Sequence, residues 1–180
     1  MKPRGPLMME HRIIEKMIWA IEKEVEKMAE TKIARKDFID TVIDFIKVYA
    51  DRTHHGKEEV IMFEYLATKN MLPEEQNMMK ELIEEHKHGR KTVGELVAAQ
   101  ERYARGEKNS LTTIRDKLKV LAEFYPKHIE KEDRIFFPAS EKYMSQGEQD
   151  FMLSEFWEFD RKMIHEKYAA VVKQLEDKIK

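Results

Sequence analysis

Two stretches of the chain, 74 residues apart, are copies of one another. They are His54-His55-Gly56-Lys57-Glu58-Glu59-Val60-Ile61-Met62-Phe63 and His128-Ile129-Glu130-Lys131-Glu132-Asp133-Arg134-Ile135-Phe136-Phe137. Five of the ten positions are identical (His, Lys, Glu, Ile and Phe), and a sixth exchanges Glu for Asp. Upstream of each copy lies a second shared pair, Glu10-His11 and Glu85-His86, 75 residues apart. The repeating unit is a histidine, about 42 residues of spacer, then His-x-x-x-Glu. Each copy must occupy an equivalent place in one fold, which narrows the possible architectures sharply.

The spacing carries its own geometric test. Glycine, proline and polarity place breaks at Thr31–Lys36, at Asn70-Met71-Leu72-Pro73 and at Arg105–Ser110. If four antiparallel helices bring one ligand each to a common level, every turn must lie midway between consecutive ligands. The midpoints of 11 and 54, 54 and 86, and 86 and 128 are 32.5, 70 and 107, and each falls in one of those breaks. His11, His54, His86 and His128 are therefore expected to meet in the interior of a bundle.

Between the breaks the apolar residues step by three and four, as in Phe38, Val42, Phe45, Ile46 and Tyr49, and in Leu111, Ile114, Leu118 and Leu121. Helices are expected over about 7–30, 36–69, 74–104 and 110–137, with a fifth at about 147–177 beyond Pro138 and Ser145-Gln146-Gly147. The class is all-α: an up-down antiparallel four-helix bundle with an additional C-terminal helix, in a single domain over 1–180 with the bundle at about 7–138. The fifth helix is rich in aromatics (Phe151, Phe156, Trp157, Phe159, Tyr168) and must bury that face on the bundle or on another subunit. Monomer and homodimer through that helix both remain open.

Composition removes several function classes. The 180 residues contain no cysteine, which excludes disulfides, thiolate-ligated zinc, iron–sulfur clusters and thiol catalysis, and fits a reducing compartment. Thirty-three basic against 35 acidic residues give a formal charge of −2, with no long basic block, so nucleic acid is not expected as a partner. The opening MKPRGPLMMEHR has too short an apolar run for a signal peptide, and no 18-residue apolar run follows. A cytoplasmic protein without membrane contact is the expectation.

Within helices two and four, His54 with Glu58 and His128 with Glu132 stand at i and i+4, on one face and about 6 Å apart along the axis. Four imidazoles and two carboxylates cannot stay unpaired in a bundle core, because burying them so costs several kcal/mol. A pair of metal ions resolves this, each held by two histidines, with Glu58 and Glu132 bridging. Nitrogen and oxygen ligands without sulfur favour iron, with manganese next. Further candidate ligands are Glu59, Asp133 and Glu15, the last at i+4 from His11. An alternative register pairs His55 with Glu59; the repeat has Ile129 opposite His55 and disfavours it. His55, His88 and His165 are expected to be packed or exposed histidines. Tyr125, three residues before His128, is expected in the pocket, and Arg90 beside a bridging carboxylate. Ile14, Ile61, Leu82, Ile83 and Ile135 are expected to supply the apolar lining.

His11, His54-His55-Gly56-Lys57-Glu58-Glu59, Glu85-His86 followed by Gly89-Arg90, and His128 to Asp133 with Phe137-Pro138 resemble the hemerythrin-like, or HHE cation-binding, family over about residues 8–140. The resemblance implies a four-helix bundle around two iron ions joined by an oxo or hydroxo bridge, manganese or zinc being less expected. It also implies binding of dioxygen or a related small oxidant, in oxygen or iron sensing or in protection against oxidative or nitrosative stress. An enzyme that reduces oxygen or peroxide is the alternative, and a structural bundle with another metal or none is a third reading. The chain departs from oxygen-carrying members, which have a second histidine four residues after the first ligand of helix three. Arg90 stands there in this sequence. Those members also take an aspartate five residues after the last histidine, where Asp133 stands, whereas Glu132 sits at i+4.

Overall fold

The computed structural model describes residues 1–179, with side chains described at 1–167, 169 and 172. Helix α1 is Arg4–Thr31; α2 runs over 36–67; α3 is Pro73–Ala104; α4 runs over 110–140; α5 is Gln146–Ile179. Among the described residues there is no strand. The chain is all-α, four antiparallel helices and an added C-terminal one.

Local chemistry sets the ends. Lys32 takes a left-handed conformation (φ 57°) that lets its N–H close on the Met28 carbonyl and stop α1. Pro73 opens α3, where a missing N–H loses nothing, and Glu74 and Glu75 in the first turn complement the helix dipole. Gly106, at φ 95°, makes the turn into α4.

Helices α2 and α4 are not regular α-helix throughout. In α2, Lys36–Phe45 is α-helical, Ile46–His55 and Glu58–Phe63 are π-helical, and Glu64–Ala67 returns to α. In α4, Ser110–Lys131 is followed by a π turn at Glu132–Phe136 and then Phe137–Ser140. The Thr53 hydroxyl follows the wider winding, donating to the Val48 carbonyl five residues back at 2.7 Å. Both repeats thus open a π segment at the glutamate of their His-x-x-x-Glu, Glu58 and Glu132, a conformation that is rare and concentrates at functional sites.

Two apolar clusters fill the bundle, and a polar layer separates them. One contains Ile14, Ile18, Ile39, Leu96, Leu118 and Leu121; the other contains Leu7, Met62, Leu66, Leu82, Phe136 and Phe156. Each fully buried side chain of this size contributes about 1.5–3 kcal/mol, so the layer between them is held from both ends.

The fifth helix packs on the π segments of α2. A Cβ on Gly56 would lie 2.7 Å from the tip of the Phe159 ring, so α5 seats that ring in the space the missing side chain leaves. The aromatic face expected to bury as a whole is divided: Phe156 is buried, while Phe151 and Trp157 are 65% and 66% exposed. The reason is geometric: Met152 and Phe156 lie on the stripe that joins the cluster of Leu7, Met62, Leu66 and Phe137, and Phe151 and Trp157 lie off it. The Tyr168 side chain lies outside the described ones.

Candidate metal centre

The polar layer contains five histidines and two glutamates, all buried. They fall into two groups, within each of which the donor atoms lie within 4.8 Å of one another. One group is His11, His54, Glu58 and Glu132; the other is His55, His86 and His128. The carboxylates reach between them. Glu58 lies 3.3 Å from His54 Nε2 and, by its other oxygen, 3.5 Å from His86 Nε2. Glu132 lies 3.2 Å from His11 Nε2 by one oxygen and 3.4 Å from His128 Nε2 by the other. The structure therefore brings together all six residues that the repeat singled out, and adds His55.

A ring of acidic side chains fixes the outer edge of the imidazoles. Glu10 accepts from His54 Nδ1 at 2.8 Å, Glu85 from His128 Nδ1 at 2.7 Å, Glu59 from His86 Nδ1 at 2.7 Å and Asp133 from His11 Nδ1 at 2.7 Å. An ionised carboxylate only accepts, so each Nδ1 carries a hydrogen and each Nε2 faces inward, where it can serve as a ligand once deprotonated. The pattern obeys the sequence repeat: the acid before each unit's first histidine holds that unit's second one. The acid after each glutamate holds the first histidine of the other unit. Lysines complete it at equivalent positions, Lys57 donating to Glu10 and Lys131 to Glu85.

None of the three further candidate ligands takes an inner place. Glu59 and Asp133 face Nδ1 atoms, because the residue after an inward glutamate is turned by about 100° toward the neighbouring helix. Glu15 is part-exposed and pairs with Arg12 at 3.2 Å, a turn away from the layer. Arg90 does not reach a bridging carboxylate; it donates to Asp51 at 2.7 Å and to Glu59 at 2.6 Å, outside the layer. Of the expected apolar lining, Ile14 and Leu82 are buried, but Ile135 is half-exposed on the outer side of α4.

His55 is the residue that sequence reasoning left out. It stands about 100° around the helix from His54, and the repeat, with Ile129 as its counterpart, disfavoured it as a ligand. Helix α2 touches neighbours on two sides, however, and its interior is an arc. His54 and His55 are 1% and 2% exposed, and the His55 ring stacks on His86 with centroids 3.8 Å apart. It stands beside the position where Arg90 fails to supply a second α3 histidine. The repeat carried no signal for it, since Ile129 is its counterpart. Glu10, Glu85 and the paired lysines did carry one: they are identical between the copies.

Burial drives the Glu58 carboxyl well above its usual range, and Glu132 reinforces this. Burial pushes Glu132 the same way but is outweighed by His128, His11 and His86, which hold it well below. Burial lowers His54 to about 4 and His55 well below its ordinary value. Burial opposes charge on His11 too, but Asp133 and Glu132 raise it to about 9.

These residues fit a metal on a direct observation. His11 Nε2, His54 Nε2 and all four oxygens of Glu58 and Glu132 are buried without a hydrogen-bond partner among the described residues. Such orphaned groups each cost on the order of 1–3 kcal/mol, and here they converge on one another. His86 and His128 turn their Nε2 atoms to within 3.2 Å. With both Nδ1 atoms committed outward, these two Nε2 atoms have only one another as neighbours for a hydrogen bond. A cation satisfies all of these atoms at once.

A four-helix bundle that encloses converging imidazole nitrogens and carboxylate oxygens is a helical cation-binding domain. The chain matches the Hemerythrin HHE cation binding domain over residues 5–140 and belongs to that family. No curated protein matches the chain. Among the described residues no helix is long and apolar enough to cross a membrane.

Proposed function

We propose that this chain is a non-haem di-iron protein whose centre binds dioxygen or a related small oxidant, in oxygen or iron sensing or in oxidative or nitrosative protection. The observation that carries the reading is the set of orphaned inward-facing atoms: two imidazole nitrogens and four carboxylate oxygens, next to a three-histidine group. Two adjoining groups of donors with carboxylates reaching between them support two ions. The all nitrogen and oxygen donor set favours iron over manganese or zinc.

His11 and His54 would hold one ion and His55, His86 and His128 the other, with Glu58 and Glu132 shared. Bound iron would supply a redox-active centre with exchangeable positions. The protein's own part is orientation and shielding. Glu10, Glu59, Glu85 and Asp133 hold the rings by their Nδ1 atoms, and the two apolar clusters exclude water from above and below. A cytoplasmic setting is part of the same proposal, since a chain without cysteine fits a reducing compartment.

Metal content and absorption spectra of one iron-replete preparation, anaerobic and then aerobic, test the reading. The expected result is about two irons per chain and a charge-transfer band that changes with oxygen. Well under one iron per chain overturns it. A second reading, an enzyme reducing oxygen or peroxide, draws on Tyr125, whose ring is buried parallel to His55 at 6.4 Å between centroids. Sustained peroxide loss that depends on Glu132 and Tyr125 favours the enzyme; reversible oxygen binding without turnover favours the first reading.

A further inference from the structure

Helix α5 covers the bundle with one side and is apolar on two. Met152 and Phe156 are buried in the bundle's second apolar cluster. On the outer side Phe151, Trp157, Ile164 and Val172 are exposed. At about 100° per residue, Trp157, Ile164 and Val172 fall within an arc of about 80°, with Phe151 about 60° beyond its edge. Ser154 and Arg161 lie between them, both exposed, so that Ser154, Trp157, Arg161 and Ile164 step by three, four and three. That is the seam spacing of helices that pair with other helices. A helix on the surface of a lone domain keeps its outer side polar, so a second apolar stripe marks a second contact.

Charge on the same helix says what the partner is. From Glu148 to Asp160 all five charged side chains are acidic; from Arg161 to Lys167 three of four are basic, with His165 among them. Two copies of α5 laid side by side in one direction would set acid against acid and base against base. Turned end for end about the midpoint of Gln146–Ile179, at 162.5, they overlap along the whole helix, roughly 50 Å. Each residue then faces the partner residue equally far beyond the midpoint. Glu158 comes near the partner's His165, Arg161 near the partner's Ile164, and Phe151 near the partner's Val172. Asp160 and Lys167 face one another at the edge, where Lys57 and Asp44 of their own chain already hold them. Glu158 and His165 are both exposed, so theirs is the contact that reads the direction of pairing.

We propose that the outer face of α5 docks on the same face of a second copy of this chain, antiparallel about a two-fold axis near residue 162, with Trp157 and Ile164 in the seam. The interface is isologous and closes at two copies. Apolar residues, charge order and helix length all select the same axis. The fifth helix then has two tasks: its inner stripe seals one bundle, and its outer stripe joins two of them. The proposal stands whatever metal the centre holds.

Sedimentation equilibrium of the full chain tests the pairing. The wild-type protein is expected to sediment at twice the chain mass of 21.6 kDa. Trp157→Gln is expected to weaken the dimer at least about a hundredfold, whereas Trp19→Gln, on an equally exposed residue of α1, leaves it unchanged. Glu158→Lys and His165→Glu are each expected to weaken it at least about tenfold, since the two-fold axis counts every contact twice. Combined in one chain they rebuild the pair with its signs exchanged and are expected to restore the dimer. All these sites are exposed, so helix content by circular dichroism should match the wild type; if Trp157→Gln unfolds, the charge variants carry the test. A chain that stays monomeric at about 100 µM overturns the proposal, even if it gains mass with another protein. A dimer indifferent to Trp157→Gln overturns it as well. So does a double variant that stays dissociated after both single ones, because in a parallel pair residue 158 faces its own copy.

Discussion

Five histidines turn a ring toward one interior layer, and four of them rest their outer nitrogen on a carboxylate at 2.7 or 2.8 Å. His55 lacks so close a support: its Nδ1 stands 3.4 Å from Asp51, itself engaged by Arg90. Its place depends on stacking against His86. If it is a ligand, His55→Ala lowers the metal content from about two ions toward one per chain, while His88→Ala, on an exposed residue, changes nothing. Equal metal content in both variants would assign His55 to packing. The titrations of the metal-free protein make a second test. His54 is depressed to about 4, so its contribution is present above its unfolded value near 6.5 and is lost as pH falls through 4. His11 is raised to about 9, so its contribution is present below 6.5 and is lost as pH rises through 9. Denaturant titrations across pH should give a metal-free chain that is most stable near 6.5 and weaker on both sides. Bound metal, which occupies these nitrogens, should flatten the profile.

Pairs of helices supply the centre, and the fifth makes its two halves unequal. Lys57 and Lys131 occupy the same place in the repeat and donate to Glu10 and Glu85. Lys131 is 22% exposed and takes its second carboxylate from Glu81 at 2.6 Å, on the same helix as Glu85. Lys57 is fully buried and takes its second from Asp160 of α5 at 2.7 Å. Removing one member of a buried pair strands the other, whereas an exposed pair is worth little. Lys57→Met is therefore expected to cost about 3 kcal/mol in chemical unfolding and Lys131→Met less than about 1 kcal/mol. Similar losses in both would mean that α5 does not shield the Lys57–Glu10 pair. Helix positions and turn sites were legible from Gly, Pro and apolar spacing. The π segments were not, since an i-to-i+5 winding leaves no compositional mark and arises from how α2 fits α1, α3 and α5 together.

For the whole molecule, the layer of unsatisfied groups between two apolar clusters means that the fold carries a cost until the groups are partnered. A ligand that binds only the folded state at 100 times its dissociation constant adds about 2.7 kcal/mol. For a chain of this size that corresponds to a rise of about 5–10 °C in Tm. Scanning calorimetry with and without a chelator measures it; coincident transitions would count against a metal centre. The repeat of His-x-x-x-Glu, with turns at its midpoints, was enough to specify an antiparallel bundle and to single out His11, His54, Glu58, His86, His128 and Glu132, because periodicity and symmetry are written along the chain. It was not enough to place His55 inside or to move Glu59 and Asp133 to the outer edge. Those depend on the angle each side chain makes with two neighbouring helices at once, and that angle exists only after the helices have packed.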